Sequence, residues 1–369
     1  MHASLNKGDV KSPETAGRRP ARWKTVVLGV LVVLAVTAIL EGGARMVVRR
    51  QAWRQGLSGD DAEAPLKVHH DLSDLDKVHV ADPYAWGKMA PNLVRYRVVG
   101  RCWNRDVDFT ISTEEHGLRN PPLAPEGART RILAIGDSTT FGLGVNNEDT
   151  WPAQLEKILN EAAGGERFEV LNAGMSGYSA FQGLRYLDKH GLYFRPALVT
   201  ACFGHNDFAT WNSKTDVERA VEHAAIVEEV AEKSRSDLFV LARRALEQAE
   251  HAVEGLTGEK RPRLTPEEFH DTLIEIKKVC DAQGIPLLFI LWPYEWQVRQ
   301  RKPERVRYQP ILIETCEEMG ATLINLYDAF VEATEPLYLD PVHGNSAGCR
   351  AAAEAIAAAV GRTLNTEGE

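Results

Sequence analysis

Five short apolar runs constrain this chain more than any other feature: Ile132–Ile135, Phe168–Leu171, Ala197–Phe203, Pro286–Leu291 and Thr322–Leu326. Ile132 to Ile135 is continuous rather than alternating, as expected of a strand buried on both faces of a parallel sheet. Segments with helical spacing separate the runs, and their starts are marked. Thr150-Trp-Pro and Thr265-Pro-Glu-Glu each place a capping threonine before a proline in the first turn, and Ser179 to His190 is a further helical stretch. A strand–helix rhythm repeated five times implies a parallel sheet with right-handed crossovers.

Ligands of open α/β sheets bind beyond the carboxyl ends of the strands, so the residues there are the first candidates for chemistry. The first run ends in Gly136-Asp137-Ser138, where a serine can act as a nucleophile. The second ends in Asn172-Ala-Gly174-Met-Ser176-Gly177, and a glycine such as Gly174 can offer its N–H to a ligand at close approach. The third ends in Gly204-His205-Asn206-Asp207; Asn206 can aim its amide at a developing negative oxygen, whereas His205 reads as a rim residue. After the fifth run, Asp340-Pro-Val-His343 places a carboxylate where it can accept from the Nδ1–H of its own histidine, turning Nε2 towards a nucleophile. Gly344-Asn-Ser-Ala-Gly348 spells a nucleophile elbow, but no strand runs into it and no histidine comes after it, so Ser346 is expected to cap a helix. Arg119, ahead of the first run, is expected in a structural salt bridge.

Charge and cysteine usage exclude other classes. A net charge of −9 without a basic stripe argues against a nucleic-acid partner. Five scattered cysteines contain no Cys-x-x-Cys, so no zinc site, other metal or disulfide framework is indicated, and Cys202 and Cys280 read as small core residues. His69-His70 has no third ligand at a useful spacing and reads as part of a solvated linker.

Residues 1–24 are polar and basic, expected to be a disordered cytoplasmic tail. Residues 25–48 are expected to form a transmembrane anchor: Thr25 to Leu40 is free of charge, and 24 residues make about 36 Å of helix. Glu41 and Arg45, four apart, can pair on one face, and basic residues before the span favour an extracytoplasmic (periplasmic or cell-surface) location for the chain beyond it. Residues 49–81 read as a linker and 82–129 as a small β-rich segment, with Tyr96, Val98, Val107, Phe109 and Ile111 alternating loosely with polar residues. A domain over 130–362 comes next, with an amphipathic helical insertion at 208–264 (Val217–Val230 and Leu238–Val253) expected to cap the site.

Gly136-Asp137-Ser138, Gly174, Gly204-x-Asn206-Asp207 and Asp340-x-x-His343, in that order, resemble the four blocks of the SGNH, or GDSL-type, hydrolase superfamily over about residues 130–362. The Glu41–Arg45 anchor and the Gly-Leu-Arg turn beside Asn120 are similar to those of membrane-anchored bacterial members. The resemblance implies a flavodoxin-like, three-layer α/β/α fold with a five-stranded parallel sheet and no cofactor. It implies that Ser138 attacks an acyl carbon, with His343 as general base and Asp340 as its orienting carboxylate. The Ser138 and Gly174 N–H groups and the Asn206 side chain would hold the oxyanion, while Asp137, Gly204 and Asp207 brace the loops. The expected function is carboxylic-ester hydrolysis on a small-molecule, carbohydrate or lipid ester. The alternatives are an O-acyltransferase that passes the acyl group to a cell-envelope polysaccharide with the same triad, and a catalytically silent binding module.

Overall fold

In the computed structural model, residues 70–71, 75–80, 82–102, 105–222, 260–303 and 305–364 are described. The chain divides into a unit of residues 1–64 and one of 65–369, and every described residue belongs to the second. The expected tail at 1–24 and anchor at 25–48 lie outside the described residues; among those, no helix is long and apolar enough to cross a membrane.

The N-terminal part is a small antiparallel module. Strand β1 (His70–Asp71) pairs with β4 (Tyr96–Cys102), while β2 (His79–Val80) pairs with β3 (Lys88–Met89). β4 and β5 (Arg105–Ile111) form a hairpin, with Val98 opposite Phe109 and Cys102 opposite Arg105. Val98, Cys102, Val107, Phe109 and Ile111 are buried on one face of the hairpin, whereas Val99 points outward. The linker expected through residue 81 therefore ends early. Leu75 and Val78 are already core residues, because they cover apolar surface that a free tether would leave wet.

The main sheet contains β6 (Thr130–Gly136), β7 (Phe168–Gly174), β8 (Leu198–Cys202), β11 (Leu287–Leu291) and β12 (Thr322–Asn325), and every pairing is parallel. Their order across the sheet is β12-β11-β8-β6-β7. This is the flavodoxin-like order 2-1-3-4-5, in which successive connections leave β6 in opposite directions and open a crevice at its carboxyl end. Between β8 and β11 a two-stranded ribbon joins β9 (Thr210–Asn212) to β10 (Arg261–Pro262). It marks the base of the expected cap. Helix is present over residues 216–222, and the rest of that insertion, residues 223–259, lies outside the described residues.

The helices, in chain order, are α1 (Ser138–Phe141), α2 (Trp151–Ala162), α3 (Ala180–Lys189), α4 (Pro266–Ala282), α5 (Glu295–Arg299), α6 (Gln309–Glu318), α7 (Tyr327–Glu332) and α8 (Ser346–Thr363). Thr150, Ser179 and Thr265 cap α2, α3 and α4 through their side chains, the last two as full capping boxes. One face of the sheet is covered by α2, α7 and α8 through Trp151, Leu155, Phe330 and Ile356. The other is covered by α3, α4 and α6 through Leu187, Phe269, Ile276 and Leu312, and its core continues into Val98, Phe109 and Ile111 of the hairpin. Ile132, Leu133 and Ile135 are buried from both sides, each contributing about 1.5–3 kcal/mol by transfer from water.

β7 is an edge strand, and residues 119–120 close its open side. Arg119 N donates to Asn172 O at 3.0 Å, Asn120 Nδ2 donates to Val170 O at 2.8 Å, and Asn120 Oδ1 accepts from Asn172 N at 2.7 Å. Covering an edge in this way removes a template for pairing with another chain.

Candidate active site

β6 delivers Ser138 to the crevice. Asp137 caps the single turn of α1: its Oδ1 accepts from Thr139 N at 2.8 Å and Thr139 Oγ1 at 2.7 Å, while burial pushes its carboxyl above the usual range. The hydroxyl of Ser138 is thereby held at the mouth of the turn with its side chain nearly buried.

The loop between α7 and α8 brings the second part. Tyr338 bridges to Gly344, and Leu339 N donates to His343 O at 2.8 Å, so residues 339–343 form a closed loop. Inside it, Asp340 Oδ1 accepts from Val342 N at 2.8 Å and His343 N at 2.7 Å, while Oδ2 lies 2.6 Å from His343 Nδ1. A carboxylate can only accept, so Nδ1 carries the proton and Nε2 is left as an acceptor. Nε2 lies 2.7 Å from Ser138 Oγ, bridging 205 residues of sequence. Burial alone would lower the His343 pKa, but the Asp340 carboxylate outweighs it and holds the ring above its ordinary value. Burial likewise opposes ionisation of Asp340, yet His343 and the surrounding donors keep its carboxyl far below the usual carboxylate range.

The loop rests on residues that strand and helix patterns do not single out. Trp292 Nε1 donates to Val342 O at 2.8 Å, Glu295 N to Pro341 O at 2.9 Å, and Tyr338 Oη to Pro293 O at 2.7 Å. Ser346 is not the helix cap. Asn345 is, accepting from Gly348 N at 2.9 Å, and Ser346 Oγ instead donates to Asp149 Oδ1 at 2.6 Å.

The donor set differs from expectation at one position. Gly174 N donates to Asn172 Oδ1 at 3.0 Å, so its N–H is already committed within the chain. A Cβ at Gly174 would lie 2.2 Å from Phe141 N, so this glycine lets β7 pass the backbone of α1. Three residues on, Gly177 (φ +82) donates to no acceptor among the described residues, and nothing lies within 4 Å of where its Cβ would be. Asn206 Nδ2 donates to Tyr178 O at 2.9 Å, tying its amide to this same turn. Met175 N in turn donates to Gly136 O at 3.0 Å, which sets the turn beside the end of β6. Among the described residues, neither Ser138 N nor Gly177 N donates to an acceptor of the chain, so both N–H groups are unspent. The signal for Gly177 was present in the sequence as the second glycine of the turn.

Asp207 and Gly204 brace this region. Asp207 accepts from Ala180 N at 2.6 Å and Gly204 N at 2.9 Å, and burial pushes its carboxyl up to about 7. His205 sits half-buried with its ring edge-on to Tyr294, centroids 4.6 Å apart. Burial, with His343 and Arg307 nearby, pushes its pKa down to about 3, so it is neutral.

Arg119 makes no salt bridge among the described residues. Its guanidinium is buried and donates to the carbonyls of Phe141 (2.7 Å), Gly142 (2.8 Å), Val145 (2.6 Å) and Thr110 (3.1 Å), and to Asn147 Oδ1 (3.0 Å). It lies over the Phe141 ring at 4.6 Å. All five donors are used. Arg119 therefore fastens the chain that leaves α1 to the N-terminal module.

Among the described residues, one trio has the composition of a metal site: Cys102, Asp340 and His343. Its Nδ1–Oδ2 and Sγ–Oδ2 separations of 2.6 and 2.8 Å are hydrogen-bond lengths. They are too short for donors arranged tetrahedrally about an ion at roughly 2.0–2.3 Å from each. A groove of about 1130 Å³, lined by residues such as Leu93, Thr113, Pro122 and Tyr193, contains no member of the Ser138–His343–Asp340 set. Chemistry, not volume, locates the site.

These features describe an α/β protein with a serine, a histidine and an aspartate hydrogen-bonded in series at the carboxyl edge of its sheet. Residues 134–351 match the GDSL-like Lipase/Acylhydrolase family, and the chain belongs to that family. It is 25% identical over 261 residues to an acetylxylan esterase of Xylanibacter ruminicola, covering 70% of this chain and 48% of that protein. It is 35% identical over 85 residues to the esterase TesA of Pseudomonas aeruginosa, covering 23% of this chain and 41% of that protein. The chain thus spans about half the length, or less, of these two relatives. Among solved structures it is similar to an acetyl xylan esterase, AlAXEase, with 17% identity, a TM-score of 0.42, and coverage of 62% of this chain and 99% of that one.

Proposed function

We propose that this protein hydrolyses carboxylic esters through a covalent acyl-enzyme on Ser138. The observation that carries the reading is the continuous series Ser138 Oγ–His343 Nε2 at 2.7 Å and His343 Nδ1–Asp340 Oδ2 at 2.6 Å. A neutral hydroxyl is a weak nucleophile until a base removes its proton. In the proposed cycle His343 takes that proton as Oγ attacks the ester carbon, and Asp340 stabilises the imidazolium that forms. The oxyanion is met by Ser138 N–H, Asn206 Nδ2–H and Gly177 N–H, Gly177 taking the place expected of Gly174. The imidazolium then protonates the departing alcohol, and a water activated by the same ring releases the acid.

The acetylxylan esterase relative favours short acyl groups on a carbohydrate or similar alcohol as the substrate class. Membrane tethering through residues 25–48, with the hydrolase domain outside the cytoplasm, belongs to the same proposal; its support is the charge-free run Thr25–Leu40 behind a basic tail. A panel of esters from acetyl to long acyl, including acetylated sugars, tests the function beside Ser138→Ala. Turnover that vanishes in the variant while its thermal midpoint is unchanged is expected. Retained turnover refutes the assignment, and acyl transfer to an added sugar in preference to water would make the protein a transferase.

A further inference from the structure

We propose that Cys102 is a positioning residue of the Ser138–His343–Asp340 series, its thiol proton filling the last acceptor site of the Asp340 carboxylate. This rests on the ester-hydrolase reading and adds to it a residue from outside the segment that matches the family.

An ionised carboxylate has about four lone-pair sites. In Asp340 two are taken on Oδ1 by Val342 N and His343 N, and one on Oδ2 by His343 Nδ1. The fourth is met by Cys102 Sγ, 2.8 Å from Oδ2 and 4.0 Å from His343 Nδ1. Cys102 is fully buried at the end of β4, so water cannot stand in for it. Burial, reinforced by the neighbouring carboxylate, pushes the thiol well above its ordinary pKa, so Sγ keeps its proton and is a donor at any working pH. The hairpin that carries Cys102 is held at two points through its second strand, β5. Arg105, directly opposite Cys102 in the hairpin, donates to Tyr338 O at 2.8 Å, and Thr110 N donates to Asn146 Oδ1 at 3.0 Å. One hairpin therefore touches the histidine loop and the loop that comes after Ser138.

The consequence is electronic as well as geometric. A second donor on Oδ2 draws charge from the oxygen that faces His343, which tempers the proton affinity of the ring and fixes the carboxylate plane. Without it, Asp340 keeps one unmet lone pair in a dry site, becomes more basic, and raises the affinity of His343 for its second proton.

The test is the pH profile of kcat/KM for 4-nitrophenyl acetate with the full chain, its Cys102→Ala and Cys102→Ser variants, and Ser138→Ala. In Cys102→Ala the acidic limb moves to higher pH, and kcat/KM at pH 7 falls roughly fivefold to tenfold, the scale of one net hydrogen bond. Cys102→Ser, which restores a donor and one stronger than the thiol, returns the limb to its native position or below it. Identical limbs in all three Cys102 forms would overturn the proposal, even if the variants melt earlier. Should Cys102→Ala not fold, the downfield Nδ1 proton resonance of His343 is compared between native protein and Cys102→Ser. A stronger donor on Oδ2 moves it upfield, and an unchanged resonance refutes the role. Retained turnover in Ser138→Ala instead refutes the hydrolase reading and leaves the resonance comparison to decide Cys102.

Discussion

Burial opposes a second proton on His343, and the Asp340 carboxylate 2.6 Å away reverses that, so the ring titrates above an ordinary histidine. The base must be neutral to accept from Ser138, so kcat/KM rises with pH along a limb above the ordinary value of about 6.5. Asp340→Asn removes the charge and lets burial dominate, so the limb moves to lower pH. The lost tautomer control costs on the order of 10³–10⁴ in kcat. A pH–rate profile of the two proteins checks both. The same pair shapes stability. The raised pKa of His343 gives stabilisation that is complete below its unfolded value and is lost as pH rises through the folded one. The depressed pKa of Asp340 gives stabilisation that is lost as pH falls through its own folded value. Thermal midpoints should therefore be highest between about pH 4 and 6.5. At Asn206, replacement by Ala should cost on the order of 10² to 10³ in kcat while leaving the fold in place, which single-turnover kinetics and a melt distinguish.

At the scale of elements, the turn after β7 separates two glycines that a sequence cannot tell apart. Gly174→Ala forces a methyl group against the backbone of α1 at 2.2 Å and should yield little folded protein. Gly177→Ala meets no atom, costs roughly 1 kcal/mol for its left-handed backbone, and should fold. Soluble yield and melting of the two variants settle the order. Arg119→Met removes five hydrogen bonds and should lower stability by about 3 kcal/mol, with turnover falling because the chain leaving α1 loosens. The strands and the meeting of Ser138, Asp340 and His343 were legible because unbroken apolar runs and strand-end polar residues are local signals. The commitment of Gly174 was not, since it depends on which way the Asn172 side chain turns. Nor was the role of Arg119: five carbonyl and amide acceptors converge on it only after folding, and none is encoded as an acidic partner in the sequence. The cap of α8 was misplaced by one residue because Asn345 and Ser346 are both good caps, and only the contact of Ser346 with Asp149 separates them.

At the scale of the whole molecule, the sheet and the N-terminal hairpin share one core, and Arg105, Thr110 and Arg119 tie that hairpin to both loops of the site. A chain cut to residues 130–369 would bare the apolar face that Val98, Phe109 and Ile111 cover, and it should be recovered mainly as insoluble protein, which a soluble-fraction assay reads directly. The central claim, however, is that a single serine becomes nucleophilic because a histidine from the far end of the chain reaches it. Intact-mass and peptide analysis after reaction with a fluorophosphonate tests this most directly. One adduct on Ser138, absent from Ser138→Ala and strongly slowed in His343→Ala, is the predicted result. No adduct, or one carried by Ser346 instead, would contradict it.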